Sequence, residues 1–346
     1  MAELSIFPMR LKNARLMKGF SMEDLCAAMG NPISKMAISK YESGQLRPNS
    51  TILILLSKAL DQPIDYFFRP FSVQIDSVRF QKKSRLSAKR EHELQETLAD
   101  YMERYLDIEN ICNEPTPPRA LPNEPVKSKE DVKNIVTFIR HQWGFGTNGI
   151  LNVLGLLEMQ GVKILELNVP ISFDGMSATI NDIFYAIVLN KSLPAEKKRF
   201  TALHELGHLI LNFDKKVSSQ EEELCDLFAS EMLLPEIELK RLLGNSRKSI
   251  APPELLTIQA QYGIPYDVIL QKAKDSQILT IAKYRALCHQ LKQIDIFSSS
   301  QSAQEGANRF TRLVYKALSQ ELITLSKAAN LLHAGVEQVQ KEFLLA

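Results

Sequence analysis

Apolar residues recur three and four positions apart along most of the chain, which predicts a mostly helical protein. Four such segments open it: residues 10–17, 21–30, 33–44 and 51–60. Ser21 and Ser34 stand at helix starts and Gly30 at a helix end, where caps belong. A longer helix is expected up to about Leu106. Residues 114–125 then hold five prolines; fixed φ angles and missing donors make this stretch extended and semi-rigid, the clearest domain boundary in the chain. Beyond it the pattern gives helices over 130–143 and 149–160. It changes to β-branched and alternating at 161–167, 177–180 and 184–190, which predicts three strands in a small antiparallel sheet. Two apolar helical runs follow, one over 199–213 and one ending at Pro235. From about 251 the chain is helical and charged, with helices at 252–262, 265–274, 281–294, 310–318, 326–332 and 336–345, and a polar loop at 298–302.

This order divides the chain into residues 1–70, a helical and proline-rich linker 71–126, a mixed domain 127–250 and a helical region 251–346. At 346 residues there is enough chain for several cores, and a hydrophobic share of 45% is ordinary for globular proteins. Cys26, Cys112, Cys225 and Cys288 are far apart and form no C-x-x-C pair, which excludes a cysteine-rich zinc site and points to a reducing compartment. The first residues lack a charged segment followed by an apolar core, and no apolar run is long enough to span a bilayer. A cytoplasmic protein without membrane contact is expected.

The net charge of +2 conceals an asymmetry. Residues 1–90 carry 15 Lys/Arg against 7 Asp/Glu, net +8, and the remainder carries 27 against 33, net −6. A basic module on an acidic body points to a polyanion partner. Within it, the second and third helices make a helix-turn-helix, which sets the start of the later helix in the major groove of double-stranded DNA. Base contacts are expected from Lys35, Met36, Ser39 and Lys40, and phosphate contacts from Arg10, Lys12, Lys40 and Arg47. Ala27, Ile33, Ser34, Ile38, Tyr41, Glu42, Gly44 and Pro48 resemble the pattern of the Xre or phage-repressor helix-turn-helix family, apart from Asn31-Pro32 inserted in the turn. Arg79, Lys82, Lys83, Arg85, Lys89 and Arg90 continue the basic character and read as a solvated face. In the last segment, Ser326 to Leu332 begins a second unit of similar pattern, but few basic residues accompany it, so packing or partner binding is expected there.

The most specific chemistry lies at His204-Glu205-Leu206-Gly207-His208. Helical spacing puts His204 and His208 on one face, where two imidazoles can hold one Zn²⁺ and Glu205 can take a proton from water held beside them. A catalytic zinc takes three protein ligands, and Glu222 on the next helix is the expected third. Asp226, one turn further, is placed to accept the free N–H of a ligand histidine. Glu221 and Glu223 read as a solvated acidic helix start, favoured by the helix dipole. His92, His141, His289 and His333 have no ligand partner at helical spacing.

Arg199-Phe200-Thr201 through His208, Glu222-x-x-Cys225-x-x-Phe228-Ala229 and Met232-Leu233-Leu234-Pro235 resemble the ImmA/IrrE family of gluzincin-like metallopeptidases over roughly residues 127–240. The resemblance implies His204, His208 and Glu222 as ligands of one zinc and Glu205 as general base. Cys225 replaces a small residue and reads as packing. Arg199 and Thr201 read as supports of the metal helix, and Tyr185 as a packed strand residue. The sheet before that helix suits a zincin, because an edge strand can hold an extended peptide by main-chain hydrogen bonds.

The expected protein is thus multi-domain and mostly α: an all-α helix-turn-helix bundle, a central α+β zincin-like domain with a small antiparallel sheet, and a C-terminal helical region. Its expected function is a DNA-binding transcriptional regulator fused to a zinc-dependent endopeptidase that cleaves a repressor or another regulatory protein. The alternative is a non-catalytic or antitoxin-type regulator that uses the peptidase fold as a sensor or partner-binding module. A homodimer fits the two-fold operators such modules read.

Overall fold

A computed structural model describes residues 3–80, 86–118, 124–169, 173–291 and 305–345. The chain divides into two compact units: Met1–Asp76, Arg85–Pro115 and Arg309–Ala346 form one, and Ser77–Ser84 with Thr116–Asn308 the other.

The first unit is all α. Helices α1 (Glu3–Met17), α2 (Met22–Ala28), α3 (Lys35–Glu42) and α4 (Ser50–Leu60) lead into a short 3₁₀ turn at Ile64–Phe68. Each start has a local cause. Ser21 and Asp24 form a reciprocal capping box on α2, Ser34 accepts from the Ala37 amide on α3, and Asn49 from Ile52 at 2.9 Å on α4. Between α2 and α3, Asn31 takes a left-handed φ of 58° and follows Gly30 at 83°, so the inserted residues make a sharp turn and the two helices keep their packing. Leu11, Leu25, Ile38, Leu56, Leu60 and Phe67 close the core. An ion pair from Arg15 to Glu42, both nearly buried, joins α1 to the end of α3 at 2.6 Å.

Helix α5 (Ala88–Ile111) packs on α1, and it also receives α14 (Arg309–Ser319), which continues into α15 (Leu325–Leu332) and α16 (Val336–Leu345). The region expected as one C-terminal domain is therefore divided. Residues 309–345 pack here, around Tyr101, Tyr105 and Phe310, while residues 251–291 pack in the second unit. Apolar stripes of similar period cannot announce which core they will join.

The second unit holds a sheet of order β1-β4-β5-β3, from β1 (Ile75–Phe80, whose residues 77–80 belong to this unit), β3 (Lys163–Leu167), β4 (Gly175–Ile180) and β5 (Phe184–Asn190). β4 runs antiparallel to β5, but β3 runs parallel to it, Lys163 opposite Ala186 through Leu167 opposite Asn190. The expected antiparallel sheet is therefore mixed. The strand order gives the reason: β4 lies beyond β5 from β3, so the β4–β5 hairpin brings β5 back alongside β3 in the same direction. A second small pair, β2 (Pro125–Val126) with β6 (Asn212–Phe213), is also parallel.

Helices α7 (Val153–Met159) and α8 (Ala195–Ile210) pack on the sheet, while α6 (Lys129–Gln142) packs on α9 (Glu221–Leu233) and α9 on α8. α10 (Glu236–Leu243), α11 (Pro252–Tyr262), α12 (Tyr266–Asp275) and α13 (Ile281–Leu291) complete the same core. α8 sits at its centre, and every residue from Thr201 to His208 is buried. Arg199 anchors its first turns. Its guanidinium donates to the carbonyls of Ile150 and Leu151 and pairs with the fully buried Glu305 carboxylate at 3.2 Å, the supporting role expected of it. Tyr185 is partly buried and packs against the core. The polar loop expected at 298–302 and the basic residues Lys82, Lys83 and Arg85 lie outside the described residues.

Candidate metal centre and DNA-reading face

Two close approaches build the centre. Gly207 lies where α9 crosses α8: a Cβ there would stand 3.2 Å from Cys225 Sγ and 3.4 Å from the Phe228 ring. Gly175 begins β4 against the other side of α8, where a Cβ would meet Thr201 at 2.8 Å and Glu205 Cγ at 3.4 Å. Absent side chains at these two positions let a helix and a strand close on the helix that carries the histidines.

The imidazoles converge as the spacing predicts. His204 Nε2 and His208 Nε2 are 3.1 Å apart, and the Glu222 oxygens lie 3.7 Å from the first and 3.8 Å from the second. Ligands held about 2.0–2.1 Å from one tetrahedral ion stand roughly 3.3–3.4 Å apart, so the triangle is of the right size for zinc. Among the described residues, His204, His208 and Glu222 are the one group of three potential ligands whose ligand atoms all lie within 4.8 Å of one another. Both Nδ1 atoms face carboxylates, leaving the Nε2 atoms for a metal. His204 Nδ1 is 2.8 Å from Asp226, and His208 Nδ1 is 3.2 Å from Glu221. Burial alone would lower the His204 pKa, but the hydrogen bonds to Asp226 and Glu222 prevail and hold it up at about 9.

Glu205 is fully buried beside the pair. Burial pushes its pKa up to about 7, against the opposing charge of His204 and the Ser177 hydrogen bond. Ser177 Oγ of β4 donates to Glu205 Oε2 at 2.8 Å, while Oε1 has no hydrogen-bond partner among the described residues. An orphaned carboxylate oxygen next to a ligand triangle fits a bound metal and a reacting water. Cys225 of α9 is fully buried against Gly207 of α8, and burial raises its thiol pKa, so it serves packing.

Sequence reasoning missed two contributors. Glu221 was expected in solvent, yet its carboxylate lies between His208 and Arg79 of β1; only Glu223 keeps the surface role, paired with Lys129. Ser177 carried no signal beyond strand alternation, because its role depends on β4 lying against α8. A cleft of about 710 Å³ opens beside Asp226, lined by Phe200, Thr201, Leu227, Val268 and Tyr284 together with Lys133 and Glu231. That size suits a peptide side chain or a small ligand.

On the helix-turn-helix, Lys35, Met36, Ser39 and Lys40 are all exposed on one side of α3, and Lys12 and Arg47 are exposed as well. Lys35 pairs with Glu23 at the surface. Arg10 is different. It is 2% exposed, bound through both terminal nitrogens to Glu103 at 2.8 and 2.9 Å, and it donates to the carbonyls of Arg69 and Pro70. A guanidinium so completely used cannot reach phosphate, so Arg10 leaves the DNA-contact set and becomes a structural residue.

Residues 157–274 match the family model of the IrrE N-terminal-like domain of M78 peptidases, and residues 11–67 match that of the helix-turn-helix family. No curated protein and no solved structure matches the chain. The stretch that matches the peptidase family contains the whole ligand triangle and its buried glutamate, and the stretch that matches the other contains the exposed face of α3. Residues 157–274 thus form an ImmA/IrrE-like domain of the metallopeptidase type, and residues 11–67 an Xre-type helix-turn-helix domain.

Proposed function

We propose that this protein is a transcriptional regulator that binds double-stranded DNA through α3 and cuts a regulatory protein, a repressor or a similar partner, at a zinc centre held by His204, His208 and Glu222. The convergence of those three side chains on the buried Glu205 is the observation that carries the reading. Zinc bound there supplies the Lewis acidity that polarises a scissile carbonyl and acidifies water. Glu205 Oε1 takes a proton from the attacking water as the new C–O bond forms. When the C–N bond breaks, the same carboxyl gives that proton to the leaving nitrogen. A pKa near 7 suits a group that must accept and release a proton in one cycle. Ser177 fixes Oε2, so the free oxygen keeps one direction, and Asp226 and Glu221 orient the two imidazoles.

No described helix is long and apolar enough to cross a membrane, which agrees with a cytoplasmic site of action. A homodimer would match a two-fold operator. The experiment is zinc content of the purified protein beside the variants Glu222→Ala and His208→Ala, followed by cleavage of candidate regulators with Glu205→Gln as control. About one zinc per chain, lost in both ligand variants, with cleavage abolished by Glu205→Gln, is expected. A folded, DNA-binding protein that takes up no added zinc would leave the non-catalytic regulator.

A further inference from the structure

The strand β4 has β5 on one side and β1 on the other. β4 is also the strand that flanks the general base, through Ser177 and Glu205. An extended peptide adding to its outer edge would run past Glu205, as strand addition to a sheet edge requires. In this chain that edge is taken by β1. Residues 77–80 and the residues of the centre belong to the same compact unit. The strand is lightly held: Ser77 and Arg79 are exposed and Val78 is only half-buried. It also carries a specific charged contact. Arg79 pairs with Glu221, whose carboxylate also faces His208 Nδ1 at 3.2 Å.

We infer that the outer edge of β4 is the peptide-binding edge, that it takes an extended segment bearing an arginine or lysine read by Glu221, and that β1 is an internal occupant which such a segment displaces. The inference rests on the peptidase reading for the direction of the bound peptide, but it concerns binding. Exchange is feasible because an extended segment can pair with the β4 main chain in place of β1 and replaces one cation at Glu221 by another.

The test uses the full chain loaded with zinc and a fluorescein-labelled synthetic peptide copying residues 73–82, with a second peptide carrying glutamate in place of the arginine. Fluorescence anisotropy reads binding, and hydrogen exchange reads which strand opens. The arginine peptide at saturation is expected to lift protection from the amides of residues 75–80 while residues 175–180 stay protected. Arg79→Ala should tighten arginine-peptide binding about twofold to fivefold, the range for a half-exposed ion pair. The glutamate peptide should bind at least several-fold more weakly than the arginine one. The inference is overturned if no peptide binds at millimolar concentration, if the two peptides bind alike, or if a peptide is cut while β1 stays protected. A peptide that binds, opens β1 and is not cut supports the edge and counts against the peptidase. Ser77→Pro/Val78→Pro, which removes the ladder donor from β1 whichever residue supplies it, should raise arginine-peptide affinity further; unchanged affinity in a folded variant counts against the inference.

Discussion

Removing Asp226 should weaken zinc binding by a predictable amount. Its carboxylate accepts from His204 Nδ1 at 2.8 Å and so holds the ring with Nε2 turned toward His208 and Glu222. Loss of such an outer partner costs about 10–100-fold in metal affinity, or about 1.4–2.7 kcal/mol. The Asp226 side chain is 50% exposed, so water can replace part of the hydrogen bond in Asp226→Ala. The expected loss is therefore at the low end, about tenfold. Asp226→Asn keeps an acceptor oxygen and loses the charge, and should fall between that variant and the wild type. Glu222→Ala removes a ligand and should cost more than either. The assay is zinc competition against a chelator of known affinity at fixed pH, with thermal unfolding of each apo variant to show that the fold is intact. Asp226→Ala within twofold of wild type would refute the argument that this hydrogen bond orients the ligand.

Gly207→Ala should destabilise the second unit by about 1–3 kcal/mol through overpacking against Cys225 and Phe228. Adding Cys225→Ala should recover part of that loss in urea unfolding, and additive effects would contradict the contact. Lys40→Ala should reduce the salt slope of DNA binding by about one, whereas Arg10→Ala should leave the slope unchanged and lower stability instead, because it strands the buried Glu103 carboxylate. His333 provides a pH test in the first unit. Burial and the nearby Arg104 charge push its pKa from the ordinary 6.5 down to about 4, against the attraction of Asp100. The unfolded chain therefore takes up the proton first, so stability should fall as the pH drops from about 6.5 to about 4. His333→Asn, which tolerates the left-handed φ of 49°, should flatten that part of the denaturation curve, and an unchanged slope would remove His333 as its source.

The local half of the centre is legible in the sequence. Helical period alone puts His204 above His208 and Glu222 one turn before Asp226, because intervals of four residues share a face wherever the helix lies. Caps at Ser21 and Ser34 were legible for the same reason: their partners are three residues away. Glu221 shows where that logic stops. At the start of a helix an acidic run is favoured by the dipole, and nothing in its spacing says which carboxylate will turn toward another helix.

What the sequence by itself determined, then, is what short intervals carry: the two histidines, the glutamate between them, the paired acids on the next helix, and the third helix with Lys35, Met36, Ser39 and Lys40 on one side. Tertiary structure decided everything carried by distant pairs. It brought Ser177 to Glu205 across 28 positions and Glu103 to Arg10 across 93, turning one strand serine into a partner of the buried glutamate and one expected DNA contact into a buried ion pair. It also laid β1 on β4 and divided the C-terminal helices between two cores. A residue's own type fixes what it can bond to, but burial and orientation depend on which segments pack together, and that packing is settled by the whole chain's apolar surface at once.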